Sequence, residues 1–172
     1  MADSQRPKIG VGVIIHDNAG NIIMGERAGS HGAGTLQCPG GHLEHGESFE
    51  ENAAREVLEE TGLIVGNIKF LTATNDVFKG EGKHYVTVFV MCEIIGENRV
   101  AQPMEPHKCA KWEWVHWSKM WAWAGEQAKA EDEGREVQRK MFLPLVNLWR
   151  ERKECEHALV EDDGNSRNVR CK

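Results

Sequence analysis

The strongest constraint on this chain is the stretch of residues 40–63, in which glycines bracket a run rich in glutamate. Ser48 is followed three residues later by Glu51, the capping-box pattern of a helix N-terminus. Gly62 lies where the C-terminal end of such a helix is expected. We therefore predict a helix over residues 48–60, preceded by a glycine-rich loop.

Three glutamates of this predicted helix would lie close together. Glu56 and Glu60 are four residues apart and project from one face, and Glu59 is three residues from Glu56. Because like charges on adjacent turns repel, these carboxylates would destabilise the helix unless a cation neutralised them. Hard divalent cations take oxygen ligands, so the arrangement favours a metal site. A solvated acidic face is the alternative, and we accept it for Glu50 and Glu51.

The surrounding pattern resembles the Nudix box. That signature is Gly, five residues, Glu, seven residues, Arg-Glu, an aliphatic residue, any residue, Glu-Glu, any residue, Gly and an aliphatic residue. Every specified position is filled in this chain, by Gly41, Glu47, Arg55, Glu56, Val57, Glu59, Glu60, Gly62 and Leu63. The resemblance implies an α+β fold, the Nudix fold, in which a mixed β-sheet is sandwiched between helices (α/β/α).

The resemblance also implies a role for each residue of the box. Glu56 and Glu60 would be the principal metal ligands and catalytic carboxylates, with Mg²⁺ or Mn²⁺ as the cofactor. Glu59 would bind a further ion or help to activate water. The backbone carbonyl of Gly41 or Gly40 would complete the shell of the first metal ion.

Other charged residues receive supporting roles. Glu47 and Arg55 would pair and fix the helix against its loop, which is a structural role. The family often adds a carboxylate from outside the box, and Glu93 and Glu105 are the candidates here. Arg27, just before a glycine-rich segment, would contact phosphate as a cation, or else be an ordinary surface arginine at a strand end.

The resemblance continues outside the box, over residues 8–115, to one branch of the superfamily. That branch contains nucleoside-triphosphate diphosphatases, including the enzyme active on thioguanine and oxidised guanine nucleotides. It implies a nucleotide substrate, cleaved at a phosphoanhydride bond to a nucleoside monophosphate and diphosphate. The candidate substrate-binding residues are Arg27, Leu36, Gln37, Gly40, His42 and Trp149. Trp149 has a strong competing interpretation, because an aromatic residue on a helix usually belongs to the core.

Two alternatives stay open. The first is a Nudix enzyme that acts on ADP-ribose, a nucleotide sugar, a dinucleotide or a capped RNA. The second is a non-enzymatic nucleotide-binding module that has kept the box. Such modules usually lose the glutamates, whereas Glu56, Glu59 and Glu60 are all present here.

Composition bears on the binding partners and the cellular location expected of the protein. The formal net charge of -6 argues against a general nucleic-acid-binding surface, which would be basic. The five cysteines are scattered without a Cys-x-x-Cys pair, which favours reduced thiols. The N-terminus lacks an apolar signal stretch, and no apolar run is long enough for a membrane span. We expect a cytoplasmic protein with no membrane contact, and a homodimer is an expectation at the level of the family.

The chain divides into three parts by composition. We predict a flexible tail over residues 1–7, a Nudix domain over 8–155, and a polar, disordered tail over 156–172. Residues 119–140 look like an insertion relative to the branch described above, and are partly helical by composition. Strands are predicted at 9–15, 21–27, 68–78, 84–95 and 111–115, and a second helix at 145–155.

Overall fold

The computed structural model describes residues 6–29 and 31–159, so most of both predicted tails lies outside the described residues. The strands are β1 Lys8–Ile15, β2 Asn21–Arg27, β3 Thr35–Gln37, β4 Gly40–His42, β5 Val65–Phe78, β6 Lys83–Ile94, β7 Cys109–His116 and β8 Lys140–Met141. The helices are α1 Phe49–Thr61, α2 Trp117–Asp132 and α3 Leu143–Glu151, followed by a 3-10 helix over Lys153–His157.

The strands form two four-stranded sheets where the sequence suggested one. Their orders are β4-β1-β6-β5 and β7-β2-β3-β8, and both sheets contain parallel and antiparallel pairs. In the first sheet Gly10 of β1 lies opposite Thr87 of β6 on one side and His42 of β4 on the other. This register brings the glycine-rich loop of the box beside the two central strands.

Alternation along β1 separates two cores. Val11 and Val13 pack with Val57 of α1, whereas Ile14 points to the opposite face and packs with Leu145 of α3. Helices therefore cover both faces of the first sheet, and the predicted α+β class with its α/β/α layering is confirmed. The net result is that α1 lies on one side of the sheet and α2 with α3 on the other.

Local signals account for the boundaries of α1. The Ser48 hydroxyl accepts a hydrogen bond from the Glu51 N–H, and the Glu51 carboxylate accepts one from the Ser48 N–H. Gly62 ends the helix with a φ of 69°, a left-handed conformation that glycine adopts without strain. Both predicted caps are therefore present. The helix α2 fills most of the segment predicted to be an insertion, and its status as an insertion stays a prediction.

Cysteines bear on the expected compartment. Cys38, Cys92 and Cys109 are buried free thiols, and burial raises the pKa of Cys38 and Cys92 to about 12. Cys155 is disulfide-bonded, so the expectation that the thiols are all reduced is wrong for this residue. The cytoplasmic location and the homodimer both stay predictions.

Across residues 6–29 and 31–159, no helix has the length and apolar character needed to cross a bilayer.

Candidate active site

The loop and the helix of the box meet at β4. The Gly40 N–H donates a hydrogen bond to Oε2 of Glu60 at 3.1 Å. A Cβ atom on Gly41 would overlap the Glu56 carboxylate, and one on Gly40 would overlap the backbone oxygen of Val11. Gly40 also has a φ of 146°, which L side chains rarely adopt. Glycine at both positions therefore lets the carboxylates of α1 touch the loop backbone.

Burial makes these two carboxylates unusual. Glu60 is 8% exposed, and burial raises its pKa to about 7, against the opposing effect of the Gly40 N–H. The nearby charge of Glu56 raises it further. The pKa of Glu56 is itself raised, mainly by burial, while Arg55 counteracts the shift. Burial and mutual repulsion destabilise the ionised forms of these two carboxylates, and a bound cation would stabilise them.

Arg55 braces the loop, as the resemblance implied. Its Nε donates to Oε1 of Glu47 at 2.8 Å, and its Nη1 donates to Oε1 of Glu56 at the same distance. The bond from Arg55 is the main reason why the pKa of Glu47 falls to about 2. Asn52 donates to the other Glu47 oxygen and to the backbone oxygen of His42. Arg55 thus fixes the loop and also orients the Glu56 carboxylate.

Glu59 lies apart from the other two glutamates. Its side chain is 55% exposed and faces Arg55, with 3.5 Å between Oε2 and Nη1. Within the described ranges, no three His, Cys, Asp or Glu side chains come together as a metal-binding group. Glu56, Glu60 and Gly41 line the same cavity, and their predicted role as metal ligands stays a prediction. This oxygen set suits Mg²⁺, which is commonly held by one or two carboxylates and completes its shell with water and phosphate oxygens.

A cavity of about 440 Å³ opens from this carboxylate pair. Of the predicted substrate-binding residues, Arg27, Gln37, Gly40 and His42 line it. Leu36 and Trp149 are not among the described residues that do. Leu36 packs against the core, and Trp149 packs on α2, where a Cβ on Gly125 would come within 2.6 Å of the indole nitrogen. Both side chains serve packing, which for Trp149 was the competing interpretation, and a contact of either residue with substrate stays a prediction.

A cluster of aromatic side chains in the wall of the cavity was not predicted from the sequence. We define it as His31, Phe78, Tyr85 and Phe142, all of which line the cavity. The ring centroids of His31 and Phe78 are 4.6 Å apart, and those of Phe78 and Phe142 are 5.5 Å apart. The Arg27 guanidinium lies 4.3 Å from the centroid of Phe142. The four residues come from four separate segments, so no local pattern in the chain could have revealed the cluster.

The two candidate carboxylates from outside the box lie in different places. Glu105 forms an ion pair with Lys108, with 2.8 Å between Oε2 and Nζ, and its charge contributes to the raised pKa of Glu60. Lys108, which was not singled out from the sequence, lines the cavity. Glu93 instead accepts a hydrogen bond from Asn67 at 3.1 Å and is not among the described lining residues. Glu105 is therefore the candidate that is close to the carboxylate pair.

Comparison with known proteins establishes the family. The family model described as the NUDIX domain matches residues 6–141. The chain therefore belongs to the Nudix family, and the membership inferred from the box is confirmed. The narrower resemblance to the branch active on thioguanine and oxidised guanine nucleotides stays a prediction.

Among similar sequences are two named RNA pyrophosphohydrolase. The one from Shewanella denitrificans (strain OS217) is 40% identical over 74 residues, which is 43% of this chain and 41% of that protein. The one from Dinoroseobacter shibae is 29% identical over 119 residues, 61% of this chain and 74% of that protein. The first match thus spans less than half of the relative's length.

Solved structures support the fold. The crystal structure of a MutT NUDIX hydrolase from Burkholderia pseudomallei matches with a TM-score of 0.60 and 23% identity, and covers 66% of this chain and 86% of that chain. A structure titled UDP-X diphosphatase matches with a TM-score of 0.53 and 23% identity, and covers 66% of this chain and 53% of that chain. At these identities the likeness concerns the fold alone.

Proposed function

We propose that this protein is a divalent-cation-dependent hydrolase that cleaves a phosphoanhydride bond in the 5′-polyphosphate of a nucleotide. One observation carries the proposal. Glu60, which is buried, and Glu56, which is partly buried, lie against the Gly40-Gly41 backbone and line a cavity of about 440 Å³. Membership of the Nudix family supports the same conclusion.

Each residue of the site has a task in this reaction. Glu56, Glu60 and the Gly41 carbonyl would hold Mg²⁺ or Mn²⁺. The bound cation would neutralise phosphate oxygens and make water easier to deprotonate. Arg27 and Lys108 line the same cavity and would bind phosphate oxygens as cations. Arg55 holds Glu56 in place through its hydrogen bond at 2.8 Å. The part of Glu59 in activating water stays a prediction.

For the substrate, we favour the 5′-triphosphate end of an RNA. The two relatives named RNA pyrophosphohydrolase support this choice. It is nearest to the first alternative from the sequence, which named a capped RNA and not an RNA 5′-triphosphate. The aromatic cluster would take the 5′-terminal base between apolar faces, as base-binding sites do. The acidic net charge agrees with contact to one end of an RNA and not to a long stretch of it.

A free nucleoside triphosphate, including a modified guanine nucleotide, is the second candidate. The observation that favours it is the cavity itself, which provides aromatic faces and phosphate-binding cations together in about 440 Å³. In this volume a single nucleotide would be recognised as a whole, without contacts to a following residue.

Product analysis distinguishes these candidates. Purified protein with Mg²⁺ or Mn²⁺ would be given 5′-triphosphate RNA, GTP, 8-oxo-dGTP, 6-thio-GTP and ADP-ribose, and the products separated by chromatography. We expect 5′-monophosphate RNA to form fastest. The variant Glu56→Gln serves as the control for contaminating activity. Absence of product from every substrate with either metal ion would instead favour the nucleotide-binding module.

A further inference from the structure

One face of α1 contacts the edge of β4 over three successive turns. Asn52, Glu56 and Glu60 are four residues apart, so they lie on the same side of the helix. Nδ2 of Asn52 donates to the backbone oxygen of His42 at 2.7 Å, and the Gly40 N–H donates to Glu60 at 3.1 Å. Between these two contacts, the Glu56 carboxylate lies against the glycine at the centre of β4. The helix therefore meets each residue of the strand in turn, and Asn52 makes the one contact that the reaction described above does not use.

Asn52 is fully buried and donates to two acceptors. Besides the His42 oxygen, its Nδ2 bonds to Oε2 of Glu47 at 2.8 Å. Nη2 of Arg55 reaches the same two acceptors over longer distances, 3.1 Å to Oε2 of Glu47 and 3.4 Å to the His42 oxygen. Asn52 is therefore the closer of the two contacts from α1 to the backbone of His42.

The amide oxygen of Asn52 has no hydrogen-bond donor among the residues that the structure describes. The amide cannot turn round to find one, because both partners of its nitrogen only accept. One is the backbone oxygen of His42, and the other is Glu47, which is ionised because its pKa is about 2, lowered mainly by Arg55. A buried acceptor without a donor destabilises the folded state, and asparagine is a poorer helix former than alanine. These two effects offset the stability that the hydrogen bonds of Asn52 contribute.

We propose that Asn52 is a positioning residue for the hydrolytic site, which fixes β4 against α1 so that Glu56 and Glu60 meet the glycine-rich loop. The inference rests on the proposed function and deepens it. Asn52 is not among the described residues that line the cavity, so it would act through the His42 carbonyl. A strand held at His42 keeps the Gly40 N–H, two residues away, against Glu60. Groups that orient metal-binding residues in this way commonly change metal affinity or activity by about 10–100-fold when they are removed.

Asn52→Ala tests this inference, because its effects on stability and on cation binding should differ in direction. Alanine removes the unpaired oxygen and favours the helix, while Arg55 still donates to both acceptors. The melting temperature in EDTA should therefore equal or exceed the wild-type value. The Mg²⁺ concentration that gives half of the full effect should increase about 10-fold or more. This half-saturation is measured from the rise in melting temperature, and again from the rate on the fastest substrate of the panel.

Ser48→Ala is the matched control. Ser48 belongs to the same helix, and its capping bonds stay within the first turn. This variant should lower the melting temperature and leave the half-saturation with Mg²⁺ near the wild-type value. Because Asn52→Ala should do the reverse, the two variants separate the stability of α1 from the positioning of the loop.

A second variant, Asn52→Asp, isolates the donated hydrogen bonds. Aspartate has nearly the same shape, but its ionised carboxylate presents acceptors to His42 and to Glu47. The half-saturation with Mg²⁺ should increase at least as much as in Asn52→Ala, and repulsion from Glu47 should lower the melting temperature as well. A wild-type half-saturation in Asn52→Asp would overturn the inference. If this variant does not fold, Asn52→Ala decides alone.

The remaining outcomes separate the inference from the proposed function. An unchanged half-saturation in Asn52→Ala would overturn the inference. So would a melting temperature in EDTA below that of wild type, because Asn52 would then be an ordinary structural residue. The same holds if neither Mg²⁺ nor Mn²⁺ raises the melting temperature of wild-type protein. Absence of turnover on every substrate would contradict the proposed function, whereas the Mg²⁺ titration of the melting temperature would still test Asn52.

Discussion

At the scale of single residues, Glu60 of α1 is hydrogen-bonded to the glycine-rich loop through the Gly40 N–H. Its carboxylate is buried, accepts a hydrogen bond from Gly40 and lies close enough to Glu56 to feel its charge. A charged group is kept in such a place only if a partner compensates for the lost hydration. Within the proposed function, the bound cation is that partner.

Glu60→Gln should abolish turnover and leave the fold intact. Glutamine keeps the size and can still accept from Gly40, but it lacks the charge that binds the cation. We expect kcat to fall by at least about 100-fold, the range in which catalytic groups usually act. Circular dichroism and the melting temperature would check the fold. Glu50→Gln, an exposed glutamate in the first turn of the same helix, is the control and should keep full activity. Unchanged activity in Glu60→Gln would refute the metal-site assignment.

The raised pKa of Glu60 predicts a dependence of stability on pH. The ordinary value is 4.5 and the folded-state value is about 7, so between these pH values the folded state binds more protons than the unfolded state. The contribution of Glu60 to the free energy of unfolding therefore decreases as pH rises from 4.5 to 7, and stays at its lower level above. Cation binding needs the deprotonated carboxylate and should offset this loss at high pH.

Thermal melts at pH 5.5 and pH 8, with EDTA or with Mg²⁺, would measure both effects. We expect Mg²⁺ to raise the melting temperature more at pH 8 than at pH 5.5. In Glu60→Gln this difference should shrink, because the titrating group is gone. A Mg²⁺ effect that is the same at both pH values in wild type would contradict the prediction.

At the scale of elements, the helix α1 is stabilised by a capping box whose contribution to the free energy of unfolding can be measured. Its capping box satisfies backbone groups at the helix N-terminus through Ser48 and Glu51. Ser48→Ala removes one of these bonds and should cost about 1 kcal/mol, which lowers the melting temperature of a domain of this size by about 2–4 °C.

Ser48→Thr retains the capping oxygen and is the matched control. Differential scanning calorimetry of the two variants gives the comparison, and activity at 25 °C should stay near wild type in both. Equal melting temperatures for Ser48→Ala and wild type would show that the cap does not stabilise the domain.

The elements differ in how far the sequence predicts them. The ends of α1 were predicted because Ser48, Glu51 and Gly62 act on residues within a turn of themselves. The division into two sheets was not, because strand pairing depends on residues far apart in the chain. Gly40 and Gly41 were assigned to a glycine-rich loop, yet they pair with β1 as the short strand β4. Their lack of side chains, which weakens a strand, is what admits the α1 carboxylates.

In the candidate site, too, local contacts were predicted from the sequence and contacts between distant segments were not. Glu47 and Arg55 were predicted as a pair from their positions in the box, and they bond at 2.8 Å. Trp149 was proposed for the substrate pocket, but it packs on α2 at Gly125, a contact that depends on how two helices cross. The aromatic cluster was missed because its members meet only when β6 and the segment after β8 are both in place.

At the scale of the whole molecule, charge limits how an RNA would bind. A chain with a net charge of -6 repels a polyanion overall, so contact should be confined to the cavity with Arg27 and Lys108. We predict that kcat/KM for 5′-triphosphate RNAs of about 2 and about 20 nucleotides will agree within about 3-fold. The dependence on salt should also be shallow, because few phosphates are neutralised. A rate that rises steeply with length and falls steeply with salt would reveal an extended RNA-binding surface.

The alternation along β1 has a consequence for how such a protein can diversify. Val11 and Val13 face α1, which carries Glu56 and Glu60, while Gly10 faces the cavity beside Thr87. The carboxylates of α1 and the aromatic cluster that would take the base therefore belong to different elements of the fold. Substitutions in β5, β6 and α3 can alter which base is accepted and leave the cleavage apparatus untouched. Proteins with this fold can therefore diverge in base specificity while they keep the same hydrolytic residues.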